Sequence, residues 1–165
     1  MELISMVSPK TLSKDNLKDT NIPENAHAFL LGLKEEYPEF SWRLGSRFKY
    51  RPEKTIFIDG IEPIPMPYFA LLTLHELGHA LSHHIDYKTD VERLRIESEA
   101  WQRAKHELEA HPNWQTYGIE YDEDFVEGEL DSYRDWLHQK SKCKKCGLTR
   151  YQTADGIYHC PQCED

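Results

Sequence analysis

The chain has 165 residues, of which 39% are hydrophobic and 12% aromatic, and it carries a net charge of −9 at pH 7. This length and composition suit one globular domain with a small appendage and a core large enough to fold without disulfides. The sequence contains no run of 18 apolar residues and no secretory leader, so we expect a soluble, cytoplasmic protein with no membrane partner. The acidic balance also argues against broad, non-specific attraction to nucleic acid.

Apolar periodicity and proline positions predict an α+β fold with a small antiparallel sheet. The predicted elements, in chain order, are a loose polar arm (1–20), a helix between Pro23 and Pro38, two or more antiparallel strands within 41–60, an extended proline-rich linker (61–67), and three helices at about 68–85, 90–110 and 121–140. The clearest strand is T-I-F-I-D at 55–59, and a boundary is expected near residue 140.

The predicted helix at 68–85 carries the motif H-E-L-G-H, in which His75 and His79 are four residues apart and Glu76 follows the first histidine. Residues i and i+4 lie on one helix face, so both imidazoles can reach a single Zn²⁺ ion. Glu76 lies about 100° further round the helix, where it can hold a water without being a ligand. A helix that is merely rich in histidine is the alternative. We expect Gly78 to permit close packing at the motif.

The end of the same helix carries two further histidines, His83 and His84. Both are expected to belong to a solvated helix end.

A catalytic zinc needs a third protein ligand and an open position for water. The next helix offers Glu92, Glu97 and Glu99, and its apolar face is defined by Val91, Leu94, Trp101, Ala104 and Leu108. Glu97 falls within that face, where a carboxylate is costly unless it is paired or bound to a metal. Glu97 is therefore the preferred ligand and Glu99 the second choice. The alternative role for Glu97 is a structural carboxylate paired with an arginine.

All four cysteines lie near the C-terminal end, where two C-x-x-C pairs are separated by thirteen residues: Cys143, Cys146, Cys160 and Cys163. This spacing is typical of a ribbon that holds a structural zinc on four thiolates, with free or redox-active thiols as the alternative. The residues between the pairs predict two short strands around a type I′ turn at Asp155-Gly156.

The ribbon is also more basic than the rest of the chain. Lys142, Lys144, Lys145 and Arg150 are candidates for phosphate contacts, and Tyr151 or Tyr158 could stack on a base. Charges that only keep the ribbon soluble are the alternative.

The sequence H-E-L-G-H-A-L, followed by E-S-E-A at 97–100, resembles the ImmA/IrrE family of zinc metallopeptidases over about residues 40–110. The resemblance implies a zincin-like fold, His75, His79 and Glu97 as zinc ligands, and Glu76 as the catalytic glutamate. It departs from the family pattern at Trp101 and Arg103, and the usual Leu-Leu-Met-Pro segment is absent. Family members commonly cleave or inactivate repressors, which implies a protein substrate.

A ribbon that follows such a domain is also similar to SprT-like proteases, which act on proteins bound to DNA. Those proteins use a third histidine within a His-Gly step, and none follows His79 here. His106 and His111 remain alternative histidine ligands outside that context.

The sequence therefore predicts a zincin-like domain at 21–140 and a zinc ribbon at 141–165, with one catalytic and one structural Zn²⁺. In the expected peptidase mechanism Glu76 is the general base that takes a proton from water and returns it to the leaving amine. Two alternatives remain open: a non-enzymatic adaptor that binds nucleic acid, a DNA-bound protein or another protein through the ribbon, and hydrolysis of a small-molecule amide.

Overall fold

The computed structural model describes residues 9–163, which form two compact units. The first unit comprises the described residues up to His84 together with Ala100–Tyr121, and the second comprises Ile85–Glu99 with the described residues from Asp122 onward. One continuous helix, Asp90–Ala110, contributes to both units.

The first unit contains a four-stranded sheet built from β1 (Lys10–Thr11), β2 (Ser41–Gly45), β3 (Lys49–Arg51) and β4 (Thr55–Asp59). The spatial order is β1-β2-β4-β3, with antiparallel pairing at both ends. The prediction of a purely antiparallel sheet is wrong, because β2 and β4 are parallel and Trp42 pairs with Ile56. The chain reverses direction from β2 to β3 and again from β3 to β4. Strand β4 lies between β2 and β3, so β2 pairs with β4 and not with β3, the next strand in the chain.

The described part of the predicted polar arm, residues 9–20, belongs to this folded unit. Strand β1 pairs with β2, and the short helix α1 (Lys14–Leu17) is capped by Ser13, whose hydroxyl accepts a hydrogen bond from the Asn16 amide at 3.3 Å. Leu12 and Leu17 are fully buried. The prediction of a loose arm is therefore wrong for these residues, because two apolar side chains are enough to anchor the segment. Residues 1–8 lie outside the described part.

The four predicted helices are confirmed, with ends shifted by up to four residues: α2 (Glu24–Glu36), α3 (Met66–Leu81), α4 (Asp90–Ala110) and α5 (Glu123–Ser141). A 3-10 turn at Pro112–Tyr117 follows α4 and was not predicted. Pro67 lies in the first turn of α3, where its missing N–H is not needed for a helical hydrogen bond. No helix of the described chain is long and apolar enough to cross a membrane.

Helix α3 is buried on most of its faces, as its continuous apolar sequence predicts. It contacts α2 and the strands β3 and β4. Inward-facing side chains alternate along the central strands, with Trp42 on β2 and Ile56 and Ile58 on β4. The loop from β4 to α3 begins at Asp59, whose buried carboxylate accepts hydrogen bonds from the backbone amides of the next residues, Ile61 and Glu62. The histidine motif therefore lies on a firmly packed helix.

The second unit is organised around Asp90, the first residue of α4. Its carboxylate accepts hydrogen bonds from Lys140 Nζ, at 2.8 Å to Oδ2, and from the Tyr158 hydroxyl at 2.7 Å, while its backbone N–H donates to Gln152 Oε1 at 2.7 Å. Burial favours the neutral acid, but the bonds from Lys140 and Tyr158 outweigh it and hold the pKa of Asp90 below its usual range. Asp90 thus joins the start of α4 to α5 and to the C-terminal hairpin.

That hairpin consists of β5 (Tyr151–Gln152) and β6 (Tyr158–His159), which pair antiparallel as predicted. The predicted type I′ turn is wrong, because within the described turn only Gly156 has a positive φ, of 86°. The turn is longer: the Gly156 amide donates to the Thr153 carbonyl and the Thr153 amide donates to the Ile157 carbonyl, both at 2.9 Å. Asp155 is not required to adopt the left-handed conformation here.

Candidate metal centres

The two motif histidines of α3 point their Nε2 atoms at each other. His75 Nε2 and His79 Nε2 are 3.1 Å apart, and the rings are nearly perpendicular, with centroids separated by 4.6 Å. Two nitrogen ligands on a tetrahedral zinc, with bonds of about 2.0–2.1 Å, would be separated by about 3.3 Å. His75 is buried and His79 half-buried. The pair therefore converges at a distance that suits a shared ion, as the i,i+4 spacing predicts.

Glu97 completes this cluster. The ligand atoms of His75, His79 and Glu97 all lie within 4.8 Å of one another, and Glu97 is only 9% exposed. The second choice, Glu99, is instead partly exposed and accepts a hydrogen bond from Arg95 Nη1 at 3.2 Å. This donor set of two imidazoles and one carboxylate could hold a divalent metal ion.

Tyr133 of α5 contacts the carboxylate of this cluster. Burial and the negative charge of the nearby Glu97 raise the pKa of Tyr133 to about 12. The hydroxyl therefore stays protonated and can donate to the carboxylate. Sequence reasoning did not find Tyr133, because nothing local distinguishes it from the other tyrosines.

Close packing of α3 on α4 depends on Gly78. A Cβ atom at this position would lie 2.2 Å from the carbonyl oxygen of Ala100 and 3.0 Å from its carbonyl carbon. Glycine is thus the residue that fits, which confirms the packing role predicted for it. The close approach lets Trp101, one residue further along α4, lie against the His75 ring with centroids 4.2 Å apart.

The apolar face predicted for α4 is correct only for its second half. Trp101, Ala104 and Leu108 are buried, but Val91 is 64% exposed. In the first turns of α4 it is Arg93 that faces neighbouring side chains, with its guanidinium about 5 Å above the rings of Tyr87, Tyr133 and Trp136. A single apolar arc does not describe a helix whose two halves belong to different units.

His84 also reaches the motif. Its Nδ1 atom lies 2.9 Å from His79 Nδ1. Helix α3 ends with the His83 amide bonded to the Ala80 carbonyl and the His84 amide bonded to the His79 carbonyl, and His83 adopts a left-handed conformation with φ 53°. This is the Schellman arrangement, in which the chain reverses at the helix end. A solvated helix end is confirmed for the exposed His83 but is wrong for the half-buried His84, because the reversal returns it to His79.

Glu107 of α4 is a buried carboxylate that pairs with an arginine. This buried side chain accepts a hydrogen bond from the Tyr37 hydroxyl at 2.5 Å and pairs with Arg103 Nη2 at 2.8 Å. Burial and that hydrogen bond raise the pKa of Tyr37 well above its usual range. His106 and His111, considered above as alternative ligands, have ring nitrogens 3.6 and 3.8 Å from the Glu107 carboxylate. They therefore belong with this structural cluster.

The four cysteines form a second cluster that could hold a metal ion. The Sγ atoms of Cys143, Cys146, Cys160 and Cys163 lie within 4.8 Å of one another. Those of Cys146 and Cys160 are 3.5 Å apart, close to the roughly 3.8 Å expected for two sulfurs on a tetrahedral zinc with bonds of about 2.3 Å. Backbone amides of Cys146 and Lys145 donate to the Cys143 sulfur and lower the pKa of this thiol to about 6. The pKa of Cys146 in the same pair is instead raised, and the pKa of the Cys163 thiol is raised to about 12 by its hydrogen bond with Cys146, so of these three thiols only Cys143 favours the thiolate without a metal.

The basic residues of this region have different surroundings. Lys142, Lys144 and Lys145 are exposed. Arg150 donates to the Lys140 carbonyl at 2.7 Å and lies 4.9 Å above the Tyr158 ring, whose hydroxyl is bonded to Asp90. Arg150 and Tyr158 are therefore engaged in internal packing, and the lysines are the better placed of the predicted phosphate contacts. Tyr151 is 58% exposed and stacks on His159.

No protein-family model matches the chain, and comparisons with curated proteins and with solved structures also find no match. The fold and the sites define an α+β protein with two residue clusters, one of two histidines and a glutamate and one of four cysteines, that could hold metal ions.

Proposed function

We propose that the protein is a zinc-dependent peptidase with a zincin-like fold, in which His75, His79 and Glu97 hold the catalytic ion. The convergence of two imidazoles and a carboxylate within 4.8 Å carries the proposal. The group has three ligands among the described residues, as in catalytic sites, whereas the cysteine cluster has four, as in structural sites. Glu76, beside His75, occupies the position of the general base in such a catalytic site. The cysteine cluster is accordingly proposed to hold a structural zinc.

The proposed chemistry is amide hydrolysis by water. A divalent ion, when bound, supplies Lewis-acid activation of the water and of the scissile carbonyl. Glu76 is the general base: a carboxylate Oε atom takes the proton of the attacking water and returns it to the leaving nitrogen. Trp101 lies against the His75 ring at a tilt and holds its orientation, and the protonated hydroxyl of Tyr133 is near enough to Glu97 to donate to it. These contacts pre-organise the ligands.

The proposed substrate is a polypeptide, and the resemblance of the motif to ImmA/IrrE peptidases favours a repressor or another DNA-bound regulator. The three exposed lysines at 142, 144 and 145 support this choice, because they offer positive charge on an otherwise acidic protein. A small-molecule amide would have no need of such a surface.

The first test is the metal content of the purified wild type beside two variants. We expect about two zinc ions per chain in the wild type and in Glu76→Gln, and about one in His79→Ala. About one zinc in all three proteins would contradict the proposed catalytic site and would favour a non-enzymatic adaptor that binds its partner through the ribbon. Glu97→Gln and Glu99→Gln are a matched pair, and only the former should lose zinc from the helix site.

Hydrolysis is then measured with a proteome-derived peptide library, using mass spectrometry to detect new N-termini. Zinc-loaded wild type and Glu99→Gln should cleave the same peptides, whereas zinc-loaded Glu76→Gln should not cleave them. Equal cleavage by wild type and Glu76→Gln would remove Glu76 from the mechanism. No cleavage by a wild type that holds both ions would defeat the peptidase proposal.

A further inference from the structure

We propose that His84 is a positioning residue that fixes the tautomer of His79, so that the His79 Nε2 lone pair faces the metal ion. The inference rests on the proposed function, because it requires His79 to be a ligand. It concerns a residue outside the H-E-x-x-H motif.

Both ring nitrogens of His79 are close to another imidazole. Nε2 lies 3.1 Å from His75 Nε2, and Nδ1 lies 2.9 Å from His84 Nδ1. A neutral imidazole carries one proton, so one nitrogen donates and the other accepts. A nitrogen that binds a cation must present its lone pair. If His79 Nε2 binds the ion, its proton is on Nδ1 and is donated to His84 Nδ1.

The same hydrogen bond determines the state of His84. Its Nδ1 must accept, so the His84 proton lies on Nε2. An isolated histidine side chain also favours its proton on Nε2, which is the tautomer that cannot bind a metal through that atom. His79 therefore gains from an acceptor at Nδ1, whereas His84 can accept in its preferred tautomer. Histidine ligands commonly have such a partner, and its removal typically weakens metal binding 10- to 100-fold.

The backbone that brings His84 to this position is itself unusual. His83 has φ 53°, a conformation that L side chains seldom adopt and that glycine usually supplies at a helix end. The amides of His83 and His84 are bonded to the carbonyls of Ala80 and His79, which defines the reversal. A strained turn that aligns one imidazole with a candidate ligand is the kind of outlier from which a functional role is inferred.

The test compares three full-length variants by zinc competition with a chromogenic chelator. His84→Ala removes the acceptor, His84→Asn replaces Nδ1 with an Oδ1 acceptor, and His83→Gly keeps the turn as the matched control. We expect His84→Ala to lower zinc affinity at the helix site by about 10- to 100-fold. The helix site is identified as the one whose zinc is lost in His79→Ala. His84→Asn should stay within about a few-fold of wild type, His83→Gly should bind as wild type, and the cysteine site should be unchanged throughout.

Several outcomes would overturn the role. Wild-type zinc affinity in His84→Ala would show that the hydrogen bond does not support the site. Equal weakening in His84→Ala and His84→Asn would mean that an acceptor is not what His84 contributes. A second readout is the imidazole ¹⁵N spectrum of the zinc-loaded protein. The His79 Nδ1 proton should be protected from exchange in wild type and His84→Asn, and unprotected in His84→Ala.

The experiment also separates this inference from the proposal on which it rests. If wild type and His79→Ala hold the same amount of zinc, the proposed catalytic site fails. If wild type holds that zinc and His84→Ala binds it equally well, the site stands and the role of His84 fails. Circular dichroism of each variant identifies a change that comes from misfolding.

Discussion

Replacement of Gly78 with alanine tests whether the spacing of α3 and α4 controls the candidate metal centre. The new Cβ would lie 2.2 Å from the Ala100 carbonyl oxygen, whereas ordinary contact begins near 3.4 Å. The helices must therefore separate by roughly 1 Å, and overpacking of this kind costs about 1–3 kcal/mol or more. Alanine's better helix propensity offsets about 1 kcal/mol of that cost. We expect a net loss of about 1 kcal/mol, and up to about 2 kcal/mol, in the free energy of unfolding.

The same displacement should affect metal binding more selectively than stability. Glu97 lies one turn before Ala100 on α4, and its ligand atom is grouped with those of the two histidines on α3. Metal–ligand distances tolerate deviations of only about 0.2 Å. A shift of roughly 1 Å should therefore weaken zinc binding at the helix site by at least about tenfold, while the cysteine cluster keeps its ion.

Two helical glycines provide matched controls for this experiment. A Cβ atom on Gly32 in α2 or on Gly128 in α5 would meet nothing within 4 Å, so alanine there should raise stability by up to about 1 kcal/mol. Urea unfolding and zinc content are measured for all three variants. If Gly78→Ala is as stable as Gly32→Ala and retains both zinc ions, the close approach does not position the site and the reasoning is refuted.

Two further predictions concern the second unit. Tyr133→Phe keeps the ring beneath Arg93 but removes the hydroxyl near Glu97, so zinc affinity at the helix site should fall by about tenfold. Unchanged affinity in competition titrations would contradict this. Asp90→Asn should cost about 1–3 kcal/mol near neutral pH, because it weakens hydrogen bonds to a buried carboxylate. The folded pKa of Asp90 is lowered, so its stabilisation is present above the unfolded pKa of about 3.9 and is lost as pH falls through the folded pKa. The difference between wild type and Asp90→Asn in urea unfolding should therefore shrink below about pH 4, and a constant difference would refute the linkage.

The helices and the two ligand clusters could be predicted because their signals are local. The positions of His75 and His79 depend on one helix, and the helical phase of α4 separates Glu97 from Glu99. The strand order of the sheet was harder to predict from the sequence, because the parallel pairing of β2 with β4 depends on which strand lies beside β2. Local patterns indicate that a segment is extended, but they do not encode its neighbour.

Tyr133 and Trp101 illustrate a second kind of limit. Each contacts a candidate ligand, yet Tyr133 is 36 residues from Glu97 in the chain and Trp101 is 26 residues from His75. Trp101 was assigned to a buried face, which is correct, but burial alone does not say which side chain it covers. Residues that orient ligands are ordinary core residues in their local sequence, and only tertiary packing reveals their role.

The contact of His84 with His79 was not predicted, because the predicted end of α3 was four residues too late. The sequence predicted that α3 extends to about residue 85, whereas it ends at Leu81. In a continuing helix, His84 would lie five residues beyond His79, about 140° away around the axis, and would face elsewhere. The left-handed φ of His83 reverses the chain and brings His84 Nδ1 within 2.9 Å of His79 Nδ1. His83 is therefore exposed whereas His84 is half-buried beside His79, and the positive φ of His83 accounts for the difference.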